Sequence, residues 1–230
     1  MAKLLLWGVD HTLIETRGVG REIFADCFEQ ATGQVMKERA PADGMTESGV
    51  FRRTAELHGV SGDRPVFETF ARLSAEQYET RAAELRRRGR ALPGAADALA
   101  VVAGLGDVVQ SVVSGNITAV ARTKLTVFGL GNRLRFPLGG YGEDHEERHE
   151  LVRVAMQRTR SALDIPLTAE NVVLIGDSPS DAAAGLTHGV RVIAVATGRS
   201  TTAELRDAGA DDVLPDLTDP GALLDALTGR

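Results

Sequence analysis

Residues 171–181 read Asn171-Val172-Val173-Leu174-Ile175-Gly176-Asp177-Ser178-Pro179-Ser180-Asp181. An apolar run of strand length, 171–175, stops at a glycine and an aspartate, and a helical pattern takes over at 180–187. The run is apolar on both faces, which points to a strand covered on both sides, as in a parallel sheet. Runs of the same kind recur at 4–9, 108–113 and 190–195. Helical patterns lie at 95–104, 117–128, 147–163, 201–208 and 220–227. Strand alternating with helix predicts an α/β class, a Rossmann-like, doubly wound parallel sheet. Such sheets bind ligands beyond the carboxyl ends of their strands. The residues just after each strand are therefore the ones that carry chemistry.

One stretch breaks the alternation. Between 16 and 91 there are helical patterns and no convincing strand. Ile23, Phe24, Cys27 and Phe28 recur at helical spacing, as do Val66, Phe67, Phe70, Leu73 and Tyr78. Pro-Ala-Asp-Gly at 41–44 predicts a turn, and Leu92-Pro93-Gly94 a hinge. The expected division is an α/β core of 1–15 and 92–230 with a helical insert at 16–91. The basic run Arg86-Arg87-Arg88-Gly89-Arg90 reads as a solvated helix end, where cations are favoured.

Composition sets the outer bounds. A chain of 230 residues holds one large domain, or a core with a modest insert. Apolar residues are 43% and charged residues 25%, as in an ordinary soluble globular protein. Lys plus Arg is 26 against 32 for Asp plus Glu, a net charge of −6. That balance gives no global attraction to nucleic acid or to an anionic membrane. The single Cys27 excludes an intramolecular disulfide and favours a reducing compartment. The apolar run 3–7 is too short for a signal-peptide core or a membrane span. The expected location is cytoplasmic.

Three segments follow the strands. They are Trp7-Gly8-Val9-Asp10-His11-Thr12-Leu13, Ser114-Gly115-Asn116, and Gly176 through Asp181. Asp10, Thr12, Ser114, Asp177 and Asp181 are thus predicted to converge at one sheet edge. Carboxylates gathered with hydroxyls and free backbone N–H groups suit a magnesium ion holding a phosphate. Turn and helix N-terminal N–H groups add anion contacts. Taken singly, each residue is what a helix cap or a turn ordinarily uses. Their order along the chain is what argues for a site.

With these residues in place the chain resembles the haloacid dehalogenase superfamily of phosphatases, in its phosphoglycolate-phosphatase-like branch. The resemblance covers nearly the whole chain. Gly176-Asp177-x-x-x-Asp181 matches the fourth motif, and Val112-Val113-Ser114-Gly115-Asn116 resembles the second. Lys124 to Leu130 and Ala208 to Val213 also have the family look. The resemblance implies that 16–91 is a helical cap and that the chemistry is Mg2+-dependent hydrolysis of a small phosphate monoester. It implies Asp10 as acid/base, with Thr12, Ser114, Gly115, Asn116 and Arg148 around the phosphate. Arg148 is the first match to the basic third motif and Lys124 the second. Asp177 would bind the metal, helped by the backbone carbonyl of Asp10, with Asp181 in support. In the cap, Gly44-Met45-Thr46 resembles a loop that reaches over the site, which assigns substrate choice to Met45 and Thr46. The implied partner is a small phosphorylated metabolite, with the chain a monomer or homodimer.

The first motif departs from the pattern. The family has Asp-x-Asp-x-Thr, in which the first Asp attacks phosphorus and its other oxygen binds magnesium. Here the stretch is Gly8-Val9-Asp10-His11-Thr12. Glycine forms no aspartyl-phosphate and gives a metal no carboxylate. Removing the nucleophile of a well-studied hydrolase costs on the order of 10⁶ in turnover. Magnesium binding should be weakened as well. Three explanations stand open: a pseudo-phosphatase that binds a phosphorylated ligand, a single-base variant of an active parent, or slow direct attack by water driven by Asp10. His11 replaces the family's commoner glycine, and its imidazole either donates to phosphate or lies along the cap. Finally, His145-Glu146-Glu147-Arg148-His149 matches the zinc-protease pattern His-Glu-x-x-His. Its acidic, Gly-flanked context argues instead for the first turn of a solvent-facing helix. Glu170 makes no persuasive third ligand.

Overall fold

A computed structural model of the chain describes residues 4–42, 44–164 and 166–229. Lys3 of the 3–7 run, Asp43 of the 41–44 turn, and the outermost residues of the 1–15 and 92–230 segments lie outside the described residues. Strand β1 (Leu4–Trp7) is followed by the two-residue β2 (Ile14–Glu15). Four helices come next: α1 (Val19–Thr32), α2 (Glu47–Leu57), α3 (Arg64–Thr80) and α4 (Ala82–Arg88). The short β3 (Arg90–Ala91) then pairs antiparallel with β2. The alternation resumes with α5 (Ala95–Ala103), β4 (Val109–Val112), α6 (Thr118–Val127) and α7 (Glu150–Leu163). It ends with β5 (Val172–Gly176), α8 (Pro179–His188), β6 (Arg191–Val195), α9 (Thr202–Asp207), β7 (Asp212–Leu214) and α10 (Pro220–Thr228).

The main sheet has five strands in the order β4-β1-β5-β6-β7, every pair parallel. Successive side chains of β1 point to opposite faces, as a strand requires. Leu5 and Trp7 enter one cluster with α5, α6 and α10, while Leu4 and Leu6 enter another with α7 and α8. Both faces are covered, which is why these strands are apolar throughout. The chain leaves β1 toward β4 on one side and returns to β5 on the other. A crevice therefore opens beyond the carboxyl end of β1, at the topological switch point.

The helices α1 to α4 have a core of their own, built on aromatic rings. Phe70 lies 4.8 Å from Phe24 and 4.7 Å from Phe51, centroid to centroid. Ile117 and Val120, at the start of α6, join this cluster and seat the helical segment on the α/β core. At the expected hinge, Gly94 has φ +78°, and a Cβ there would overlap the Leu217 carbonyl.

Some expectations need correcting. The interval 16–91 does contain a strand, β3, too short to leave a pattern. β7 overlaps the end of the 208–213 stretch, for which the pattern predicts no strand. The 145–149 stretch is not a helix turn, because α7 starts at Glu150. It is held as a turn by a bridge between Met45 and Glu147 and by Arg52 gripping Glu146 at 2.9–3.1 Å. In the basic run, Arg88 pairs with Glu22 and Glu84 and Arg90 with Glu15, so these cations tie α4 and β3 to neighbours. Among the described residues no helix is long and apolar enough to cross a membrane.

Candidate active site

The carboxyl ends of β1, β4 and β5 face helices α1 and α3 across a cavity of about 1010 Å³. Asp10, Ser114, Gly115, Asn116, Lys124, Arg148 and Asp177 all line it. Thr12 and Asp181, the other post-strand residues expected there, do not line it but bond to Asp177 and Arg148, which do.

Asp10 stands two residues beyond Gly8 and accepts three hydrogen bonds from two donors. Lys124 Nζ donates to its Oδ1 at 2.9 Å and its Oδ2 at 2.8 Å, and Asn116 Nδ2 donates to Oδ2 at 2.7 Å. Lys124 also donates to Asn116 Oδ1 at 2.7 Å, and Asn116 to Ser114 Oγ at 2.7 Å. Lys124 comes from the inner face of α6 and is only 4% exposed. Burial opposes ionisation of Asp10, but Lys124 and Asn116 outweigh it, so its pKa lies below the ordinary value.

A second acid–base pair forms on the other side of β1. Arg148 reaches Asp181 Oδ1 with Nε at 3.2 Å and Nη2 at 2.8 Å. Asp181 Oδ2 accepts from Ser178 N and Oγ, closing the capping box of α8. Gly176 permits this fold-back, since a Cβ there would collide with the Asp181 carboxyl group. Burial again opposes ionisation, and Arg148 with Ser178 outweighs it, holding the Asp181 pKa low. The two candidates for the basic motif thus both reach the site. Lys124, ranked second by sequence, takes Asp10; Arg148, ranked first, takes Asp181.

Asp177 has no such cation. Its Oδ1 accepts from Thr12 Oγ1 at 2.8 Å. Burial and the neighbouring Asp181 push its pKa up to about 6. Thr12 is fully buried beneath the cavity floor. Its hydroxyl stands where a side chain on residue 8 would begin: a Cβ on Gly8 would lie 2.5 Å from Thr12 Oγ1.

One sequence expectation is corrected here. Thr46 does not line the cavity: it is buried, caps α2, and donates to the Glu146 carbonyl at 2.9 Å. Met45 does line it. The carboxylates expected to share a metal are largely engaged elsewhere, Asp10 with Lys124 and Asp181 with Arg148. Among the described residues no group of three or more His, Cys, Asp or Glu side chains is arranged to hold a metal ion. That includes the His145–His149 stretch, where His149 faces Glu147 and Glu150. His11 lies on the cavity wall with φ +63°, which explains why glycine suits the position; asparagine, aspartate and histidine are the other residues enriched there. Its carbonyl accepts from Thr197 Oγ1 at 2.6 Å.

Sequence reasoning missed three cavity residues. Glu47, in the first turn of α2, accepts from Ile117 N at 3.1 Å. Burial, only partly offset by Lys124, raises its pKa. Arg21 and Arg39 line the helical wall. No periodicity marks them, since their position depends on how the helical segment docks.

Comparison with known proteins fits this architecture. Among curated proteins none matches the chain. Among solved structures, a hydrolase from Pseudomonas syringae superposes with a TM-score of 0.67 at 18% identity, covering 100% of this chain and 99% of that one. CbbY from Rhodobacter sphaeroides, in complex with phosphate, gives a TM-score of 0.64 at 21% identity over 96% and 97%. A predicted phosphoglycolate phosphatase from Haemophilus somnus gives 0.61 at 15% identity over 95% and 96%. At these identities the likeness is one of fold. Residues 5–185, spanning most of the chain and every one of the post-strand segments, match the model of the haloacid dehalogenase-like hydrolases, and the chain belongs to that family.

Proposed function

We propose that this chain binds the phosphate of a small monoester in the cavity between sheet and helices, and that its own turnover is absent or strongly reduced. Position 8 carries this reading. Gly8 supplies no nucleophile, and the Thr12 hydroxyl fills the space where a side chain would start. Ser114, Gly115, Asn116, Lys124 and Arg148 surround the phosphate in this reading. Met45 and the helices α1 to α4 close over the ligand as a cap.

The state of Asp10 supports weak or absent chemistry. Held ionised by Lys124 and Asn116, it is a poor proton donor at neutral pH and a weak base toward water. Direct attack by an Asp10-activated water is therefore slow. Phosphatases of this family generally use Mg2+, which neutralises charge at the phosphate. The donor set here does not fit a tightly held ion. Both oxygens of Asp10 are on Lys124, those of Asp181 are on Arg148 and Ser178, and Asp177 alone is left without a cation. Lys124 and Arg148 themselves neutralise the site, which favours a phosphate-binding protein without hydrolysis.

The test is phosphate release from a panel of monoesters, with and without Mg2+, for the chain and for Gly8→Asp. The expected result is release at background by the chain and a gain of about 10³-fold or more in Gly8→Asp. Fast turnover by the unmodified chain overturns the reading, since another group must then attack phosphorus.

A further inference from the structure

The loop after β4 is held from the other side of the cleft. Glu47, the first residue of α2, lines the cavity and touches this loop twice. Its backbone N–H donates to the Gly115 carbonyl at 2.7 Å, and its Oε2 accepts from Ile117 N at 3.1 Å. The two contacts are two residues apart, as across a parallel ladder, with a side-chain oxygen in place of the backbone acceptor. Gly115 allows the approach: a Cβ there would lie 2.9 Å from the Met45 carbonyl oxygen.

The same contact completes a helix. α6 begins at Thr118, and its N-cap is Ile117, which offers no side-chain acceptor. Caps are ordinarily Ser, Thr, Asp or Asn, whose oxygens satisfy the first free amides. At α6 two carboxylates from elsewhere take that role. Glu143 accepts from the Thr118 amide on the core side at 2.9–3.0 Å, and Glu47 accepts from the Ile117 amide across the cleft.

A carboxylate facing a cavity that takes up phosphate opposes its ligand by like charge. Burial opposes its ionisation as well. Its place is accounted for if the contact serves the loop. The C=O and N–H of a planar trans peptide point in opposite directions. With the Gly115 carbonyl turned to α2, the Asn116 amide faces away and donates to Ser114 Oγ at 3.2 Å. The clamp therefore fixes the peptide between Gly115 and Asn116, and with it the Asn116 side chain that donates to Asp10 and Ser114.

We infer that Glu47 is a positioning residue for the phosphate site: reaching across the cleft, it holds loop 114–117 in the conformation that binds the anion. This rests on the proposed phosphate-binding function and adds how the helical segment acts on that site, through the loop rather than through the ligand.

Calorimetric titration of the full chain with inorganic phosphate and with ethyl phosphate tests it, in the parent, Glu47→Gln and Glu47→Ala. Glu47→Gln leaves an amide oxygen for Ile117 N; Glu47→Ala leaves none. Both variants lose the like charge, so their difference reads the clamp alone. Glu47→Gln should bind at least as tightly as the parent, and Glu47→Ala about 5-fold more weakly than Glu47→Gln, the scale of one lost hydrogen bond. Glu143→Ala is the control for helix stability. It uncaps α6 at Thr118 and should lower the urea midpoint while phosphate affinity stays within about twofold. Equal affinity in Glu47→Gln and Glu47→Ala overturns the positioning role, and so does a matching loss of affinity in Glu143→Ala. If circular dichroism shows Glu47→Ala unfolded, Glu47→Asp carries the test. It keeps the charge but falls one methylene short of Ile117 N; weaker binding than the parent supports the role and equal binding overturns it. If the parent binds neither inorganic nor ethyl phosphate, the phosphate reading itself falls, and the positioning role with it.

Discussion

The two walls of the cavity balance their charges differently. On the core wall, the cations Lys124 and Arg148 meet carboxylates that arrive from the ends of β1 and β5. On the helical wall, Arg39 and Arg21 meet none among the described residues. The core wall pairs two of its acids, Asp10 and Asp181, with cations and leaves Asp177 without one among the described residues. The helical wall carries the half-buried Arg39 and the exposed Arg21 facing the cavity. In the proposed reading, phosphate recognition is kept across the cleft while Gly8 supplies no nucleophile.

The largest test of that contrast acts on the core wall. Gly8→Asp adds a carboxylate at the end of β1 and should raise phosphate release by about 10³-fold or more. It must also turn the Thr12 hydroxyl aside, because a Cβ at position 8 would sit 2.5 Å from it. The Thr12–Asp177 bond should therefore be lost in a structure of the variant.

Next in size is Lys124→Met, which leaves Asp10 without its cation in a largely buried setting. Urea denaturation should show a loss of about 3 kcal/mol. A loss below about 1 kcal/mol would mean that water reaches Asp10 and that the core wall is less closed than its hydrogen bonds indicate.

Asp177 is the one core-wall acid without a cation, and it sharpens the comparison through pH. Its folded-state pKa is raised to about 6 by burial and Asp181. The folded protein thus holds this proton more tightly than the unfolded chain does. Stability falls as pH rises from the ordinary carboxylate value, about 4, to about 6, and is level above. Asp177→Asn keeps an acceptor for Thr12 and escapes this loss. Relative to the parent it should gain about 1–2 kcal/mol above pH 6 and nothing below pH 4. Paired melting curves across that window measure it.

The smallest effect is expected where the walls touch in solvent. Arg52 grips Glu146 across the segments, but both side chains are about half exposed. Arg52→Ala should cost less than about 1 kcal/mol in a thermal or urea melt. The walls are held together mainly by Thr46 at the Glu146 carbonyl, Ser48 at the Gly142 carbonyl, and the apolar contacts of Ile117 and Val120.

Most of the parallel sheet was legible because its cues are local. A strand buried on both faces is apolar over four or five residues, and the acids and hydroxyls that follow it are adjacent in the chain. β1, β4, β5 and β6 announce themselves in this way, and so does the gap at Gly8. β3 is too short to leave a period, and β7 is half exposed, so neither stood out. The start of α7 was misplaced because residues 145–149 are pinned by α2 and the loop before it, through contacts about a hundred residues away.

Composition and period specified an α/β sheet, a helical segment placed after its first strand, and a set of acids gathered at one edge; the resemblance to the family marked Gly8 as the position of the absent nucleophile. The docked structure decided which cation takes which acid. Lys124 reaches Asp10 across 114 positions of sequence, and Arg148 reaches Asp181 across 33. It also decided that Thr12 fills the space over Gly8 and that Thr46 is a cap buried away from the cavity. The reason is physical. Hydrophobic period and turn chemistry act between near neighbours, whereas the pairing of buried charges depends on which surfaces the packed helices bring within a few ångströms of one another.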